Sequence, residues 1–535
     1  MKLILNYILK EGISMKIERT KNTVKSSIWG LIEKITNIIL PFIIRTVLIK
    51  KLGAEYLGLS SLFVSVLEVL SLAELGFGSA IVFSMYKPIA NNDYKTVGSI
   101  INYLKKVYRI IGIIMLIIGI LILPIIPDLV KSDIPSNINI YLIYLIYLGN
   151  TVSSYLLFSY KSTLLNAMQC NDIISRVNFF TSSVLRIIQI IMLIIVPNFY
   201  LYALITPIIT IFNNIIISIV VNKKYSNYIN NEKIDQHLKN EIKAKIFPLM
   251  STKIAVIIVN SADTLVISRF LGLKEVAIYN NYYYILNAVM GFLIVVYNAM
   301  QAGIGNSLVV DNDKKIISDF EKLCFINTWI ITVCTSCLFC LYQPFIKLWL
   351  GIDMLLPFGM VVLFCLYFYA NTIQRIVVIY KDAAGIWKED MLRCYLSCAL
   401  NLFINIVTVR SLGLYGVIGS SVLANFIGLP CMGIILYKIV FKRSSKQFLI
   451  TELKCFIKAI IISIICYNVC FYIQEGLIGI ILKGIVCLTL SNYLLYLFYR
   501  NTDDYKKCEI WIKQKILQIN LKKEISYDKN YSTMD

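Results

Sequence analysis

Apolar residues in this chain come in runs of membrane length, with short polar segments between them. About fourteen such runs can be marked, at 27–48, 57–83, 107–127, 139–160, 177–196, 199–221, 246–269, 279–304, 324–346, 357–380, 394–410, 415–437, 456–473 and 477–499. A helix rising ~1.5 Å per residue crosses the hydrocarbon in ~20 residues. The pattern therefore predicts an all-α integral membrane protein with about 14 transmembrane helices.

The first run departs from plain apolarity. Ser26 to Gly53 carries Glu33, Lys34, Asn37, Pro41 and Arg45, and positions 34, 37, 41 and 45 share one helical face. An ionised side chain at membrane depth costs roughly 2.5–3.5 kcal/mol on insertion scales, so such a face points into a bundle interior or a wet cavity. The same stretch returns at Lys245 to Gly272: Lys34 and Lys253, Val47 and Val266, Lys50 and Arg269, Leu52 and Leu271, Gly53 and Gly272 are separated by one offset, and Pro41 falls on Asn260. Later segments match too, Lys161 to Ala167 with Lys381 to Ala384, and LYALI at 201–205 with LYGVI at 414–418. Six runs thus repeat as six. Both halves begin on the same side, so the repeats are parallel.

The expected organisation is a cytoplasmic N-terminal segment 1–26, a six-helix lobe 27–221, a cytoplasmic linker 222–245 containing an amphipathic helix, a second six-helix lobe 246–440, two additional helices within 456–499, and a cytoplasmic basic tail 500–535 suited to a helix on the inner membrane surface. Met15 is expected to be the native start, because Lys10, Glu11 and Gly12 can be encoded by a purine-rich ribosome-binding run.

Composition agrees with the pattern. The 535 residues are 58% hydrophobic with a formal net charge of +21, and the mean hydropathy is +0.73. The charge does not read as a nucleic-acid surface, because the basic residues sit in short loops. With the N-terminus inside, about 38 of them fall in inner segments and about 6 in outer ones, which places both termini in the cytoplasm of a plasma-membrane protein. The 14 cysteines lie mostly within apolar runs, against a disulfide framework. Cys334, Cys337 and Cys340 are spaced to share a helix face, and read as small packing residues before soft metal ligands. The single histidine, His237, lies in the charged linker.

Candidate chemistry is concentrated on two helix pairs. The second run holds Ser61, Ser65, Glu68, Ser71, Glu74 and Gly78 near one face; its two acids serve either as structural partners of Lys34 and Arg45 or as coupling-ion ligands. Asp263 lies one turn from the position matching Arg45, as a counter-ion or part of a coupling site. The eighth run keeps Asn280, Tyr284, Asn287, Gly291, Asn298, Gln301 and Gly305 on one face, for helix packing or for sugar hydroxyls. Arg375, with Asn371 and Gln374, reads as a snorkelling cation. No nucleophile–base constellation and no GxxxxGK[ST] loop is present, and the outer loops of about ten residues or fewer leave no room for a lid, so no catalytic residue, cofactor or metal is expected.

TKNTVKSSIWGLIEKITNIILPFIIRTVLIKKLGAEYLGLSSLF, followed by LAELGFGSAIVFSMYKPIANND, resembles the N-terminal portion of bacterial O-antigen, capsule and exopolysaccharide flippases, the polysaccharide transporters of the MOP exporter superfamily. The similarity runs from Met15 to about Arg500. It implies two six-helix lobes in a V and two extra helices, transporting a polyprenyl-diphosphate-linked oligosaccharide from the inner to the outer leaflet, with membrane lipids, a polysaccharide polymerase and glycosyltransferases as partners and no nucleic acid. Cations on both lobes would offset the cost of moving phosphate charge through low dielectric, which makes Lys34, Arg45 and Lys253, with Asn260 and Asn287, the expected substrate ligands, and Glu68, Glu74 and Asp263 the expected coupling-ion residues. An ion-coupled multidrug exporter and a lipid II flippase of the same superfamily are the alternatives, and a membrane polysaccharide polymerase a more distant one.

Overall fold

A computed structural model of the protein describes residues 19–71, 77–131, 134–230, 232–511 and 513, and the side chains of all of these except 19–27, 79, 245, 247–249, 251–253, 256, 260, 299 and 302. Met15 and most of the basic tail lie outside the described residues. Those that are described form helices and no strands: α1 (Arg19–Lys51), α2 (Ala54–Leu70), α3 (Phe77–Ala90), α4 (Tyr94–Ile122), α5 (Ile140–Leu156), α6 (Tyr160–Ala167), α7 (Asn171–Ile195), α8 (Phe199–Lys224), α9 (Gln236–Phe270), α10 (Leu273–Val310), α11 (Asp313–Leu350), α12 (Phe358–Ile373), α13 (Arg375–Ala383), α14 (Lys388–Leu412), α15 (Leu414–Leu436), α16 (Lys446–Phe471) and α17 (Leu477–Tyr499). The described residues of the fourteen expected runs are mostly helical, with 57–83, 139–160 and 357–380 each divided between two helices.

Among the described residues nine helices are long and apolar enough to cross a membrane, ten if the bent pair α5–α6 is one span. Helices outside that set include α1 and α9, which carry the charged repeat. Outward faces are apolar, as Ile110, Ile113, Ile117 and Leu121 of α4 illustrate, which suits lipid contact. Helix starts are set by short acceptors: Asp93, Asn139, Asn198, Asp235 and Asn312 each cap a following helix by accepting from its first-turn amides.

The charged repeat has a structural counterpart. Gly53 and Gly272 end α1 and α9 with φ of 122° and 115°, and each donates its N–H five residues back, to Leu48 and Ile267. Only glycine takes that backbone conformation without strain.

Packing divides the chain into two compact units. The first comprises residues up to Asn281 together with Cys394–Val417. In it α1 lies along α7, α5 along α8, and α2 along α9. Gly58 makes a close approach, since a Cβ there would stand 2.0 Å from the Leu273 carbonyl oxygen. The second unit comprises Tyr282–Arg393 and the chain from Ile418 onward, with α11 packed against α12, α16 and α17. Packing and sequence repeat cut the chain at different points, because α9 and the start of α10 are held to α1 and α2.

The linker is helical over its second half, which forms the first turns of α9. Its first half folds back on α4, where Asn102 donates to the Asn230 carbonyl at 2.5 Å and Asn230 donates to the Tyr94 carbonyl at 3.0 Å. His237 is exposed beside Glu241.

Candidate functional site

Polar residues inside the first unit converge from α1, α2, α9, the beginning of α10 and α14. Half-buried Arg45 donates to the Asn281 side-chain oxygen at 3.1 Å, and Asn281 is buried with its amide nitrogen lacking a partner. Asp263, also buried, accepts from the Tyr279 hydroxyl at 2.9 Å and from the Asn405 amide at 2.7 Å. Both groups donate to it, the arrangement an ionised carboxylate requires. Glu68 of α2 is exposed and accepts from Ser261 of α9 at 3.3 Å.

A second polar string joins α1 to α7 and α8. Asn178 donates to Glu33 at 2.8 Å, Asn213 donates to Asn178 at 3.0 Å, and Thr181 donates to Asn213 at 2.9 Å. Farther along, Gln189 donates to the Tyr202 carbonyl at 3.0 Å, and Tyr202 lies within the electrostatic reach of both Arg186 and Arg45. Cations, amides and phenols in a low-dielectric interior can hold an anionic, hydroxyl-rich headgroup, and Asp263 supplies a countercharge.

The expected site residues are distributed unevenly. Arg45 and Asp263 lie inside the first unit, with Glu68 exposed and joined to it through Ser261. Lys34 is half-buried there and makes no polar contact to another described residue. Asn287 is exposed on α10 in the second unit and likewise makes none among the described residues. The side chains of Lys253 and Asn260, and all of Glu74, lie outside the described residues. Sequence reasoning did not find Asn281, Tyr279, Asn405, Ser261 or Arg186 as ligands. Arg186 is a charge inside the apolar run 177–196, but the others carry no local signal.

In the second unit Cys340 meets Cys470 and Cys487, with the three Sγ atoms within 4.8 Å of one another, inside an apolar cluster with Ile462, Leu495 and Tyr499. Of the expected helix-face trio, Cys340 joins this three-helix group and Cys337 packs against the same apolar cluster. Arg375 donates to Asn371 at 2.9 Å and Gln374 to Asn425 at 2.8 Å.

The fold is that of MOP-superfamily transporters. The lipid II flippase MurJ in an inward closed conformation matches with a TM-score of 0.65 and 15% identity over 89% of this chain and 99% of that one. A multidrug resistance MATE family transporter of the MOP superfamily, inward-facing, matches with 0.60 and 13% over 76% and 96%. A MOP superfamily transporter from Pyrococcus furiosus, described as having a binding pocket of reverse polarity, matches with 0.53 and 14% over 79% and 97%. No curated protein matches by sequence. Residues 23–300, just over half of the chain, match the family described as Polysaccharide biosynthesis protein, and the chain belongs to that family. It is a multi-pass membrane protein with the fold of MOP-superfamily transporters, in agreement with the resemblance read from its sequence.

Proposed function

We propose that this protein flips a polyprenyl-diphosphate-linked oligosaccharide repeat unit from the inner to the outer leaflet of the bacterial plasma membrane for cell-surface polysaccharide biosynthesis, with both termini cytoplasmic. The observation that carries the reading is Arg45, a half-buried cation in the apolar run of α1 that donates to the neutral Asn281 side chain at 3.1 Å. A guanidinium so placed can take a phosphate oxygen as well, and the surrounding amides and tyrosines suit sugars. Lys34, Lys253, Asn260 and Asn287 remain proposed ligands, and Glu68, Glu74 and Asp263 proposed coupling residues. Membrane lipids surround the protein, and a polymerase and glycosyltransferases are its proposed neighbours in the pathway.

Transport follows by alternating access between lobes 27–221 and 246–440. Contacts at Gly58–Leu273, Arg45–Asn281 and Glu68–Ser261 hold the repeated helix pairs together, and these are the contacts that must part in the cycle. The test is reconstitution with labelled lipid-linked oligosaccharide, with lipid II and with a cationic drug as competing substrates. Arg45→Ala should abolish flipping of the oligosaccharide lipid while Arg45→Lys retains part of it. Normal flipping by Arg45→Ala, or transport of the drug alone, ends this reading, and transport of lipid II alone reassigns the substrate. Asp263→Asn should remove any dependence on a proton or sodium gradient.

A further inference from the structure

The membrane-length stretch of α5 and α6 is broken, and the two helices meet at 51°. Phe158 at the break has φ of 61°, a left-handed conformation that bulky residues rarely adopt and that persists where surrounding structure holds it. The Ser159 hydroxyl beside it is buried and without a partner. Two residues on, Lys161 is 6% exposed. Its ammonium donates to Ser218 at 2.8 Å and Asn222 at 2.6 Å and lies 5.3 Å from the Phe158 ring centre. No carboxylate among the described residues pairs with it. A buried cation held only by neutral dipoles has lost its hydration without gaining a countercharge.

Further positive charge stands next to it. Two cavities of about 60 and 70 Å³ meet here; Lys105 and Tyr160 line both, Arg109 and Phe158 line the first, and Lys161 and Asn102 line the second. Lys105 is half-buried and Arg109 exposed, so the basic cluster runs from the interior to the rim.

The repeat position makes the imbalance visible. Lys381, equally buried at 6%, is met by Asp390 at 2.6 Å and Asp382 at 3.4 Å. In the first unit the hydrogen-bond partners of Lys161 among the described residues are the neutral groups of Ser218 and Asn222.

We propose that the break between α5 and α6 is a phosphoanion site, in which Lys105, Arg109 and Lys161 hold a phosphate group that supplies the charge Lys381 receives from its aspartates. The cavities admit a tetrahedral anion but not a glycan. Two sources share this chemistry, the headgroup of an anionic phospholipid and a free phosphate species. The site lies at the end of the helices proposed as cytoplasmic, where anionic lipids meet basic pockets between spans. It does not depend on which substrate the protein transports.

The experiment uses the full-length protein in detergent. Native mass spectrometry measures retention of phosphatidylglycerol against phosphatidylcholine, and thermal melting measures protection by inorganic pyrophosphate. Lys105→Gln combined with Arg109→Gln should weaken the preferred ligand about tenfold or more, because two charge-assisted contacts are removed. Lys388→Gln combined with Lys446→Gln removes the same charge from exposed positions elsewhere and should change nothing. Lys161→Met should act like the first pair if it folds, but the first pair alone decides. Loss of phosphatidylglycerol preference in the first pair only identifies a lipid headgroup; loss of pyrophosphate protection in that pair only, with no lipid preference, identifies a free phosphoanion. Equal losses in both pairs, or no loss in the first, overturns the site.

Discussion

Two corners of the molecule start from the same sequence element and solve its electrostatics differently. Lys161 follows the break between α5 and α6, and Lys381 lies in α13 after the corresponding break at Gln374. Both lysines are equally buried. In the second unit Asp390, completely buried, accepts from Lys381 and is also gripped by Arg393, a charge network closed within the protein. In the first unit the ammonium is solvated by a serine and an asparagine with two further cations close by. Backbone geometry differs in parallel: Gln374 has an ordinary helical φ of −73°, whereas Phe158 is left-handed. A corner with its charges balanced internally serves stability, and one left cationic and strained is available to a ligand.

The comparison can be broken most forcefully at Asp390. Asp390→Asn leaves Lys381 and Arg393 around a neutral amide, and the cost in thermal unfolding of the purified protein should be about 3–5 kcal/mol. A cost under 1 kcal/mol would show that the network contributes little.

Next in size is the contrast between the two lysines. Lys381→Met should destabilise by about 3 kcal/mol, because buried Asp390 loses one of its two cations. Lys161→Met, removing a cation that lacks a countercharge, should cost no more than about 1 kcal/mol in lipid-free detergent, roughly one hydrogen bond. Equal costs would erase the distinction drawn between the corners.

A smaller effect is expected at the breaks themselves. Phe158→Gly relieves left-handed strain of about 1–3 kcal/mol and loses a cation–π contact of about 0.5–1 kcal/mol, so the melting temperature should hold or rise. Gln374→Gly has no such strain to relieve and should lower stability by about 0.5–1 kcal/mol. The same direction at both positions would deny the backbone difference its role.

The smallest effect concerns α4, which presents Lys105 and Arg109. The Thr96 hydroxyl and amide hold the Asp93 carboxyl below the usual aspartate range. A depressed folded value means this contribution is present above the unfolded aspartate pKa and is lost as pH falls through the folded one. Asp93→Asn, which still caps the helix, should flatten that acid limb of a pH–stability profile and lower neutral stability by no more than the height of the limb it removes.

Much of the fold was legible because it is written in local pattern. Run length located the helices, and the one-offset repeat singled out Gly53 and Gly272, which adopt the same turn. The candidate site was legible in part. Arg45 and Asp263 stood out by the cost of charge in apolar surroundings, and both lie in a converging polar interior. Asn281 and Tyr279 did not stand out, because the eighth run offers polar residues on more than one face and spacing alone favoured Asn280, Tyr284 and Asn287. Asn405 reaches Asp263 from 142 positions away, a pairing that no helical period encodes.

What the sequence determined by itself was therefore the set of helices, the charged repeat and the family, since hydrophobic length, helical spacing and turn-forming glycines act over a few residues at a time. Tertiary structure decided which polar groups meet: that Arg45 meets Asn281, that Cys340 meets Cys470 and Cys487 from two other helices, and that Lys381 finds an aspartate while Lys161 meets a serine and an asparagine. The physical reason is that partners on different helices are chosen by packing contacts such as that of Gly58 with Leu273, and the free energy of a buried charge depends on the groups such packing brings within hydrogen-bond reach.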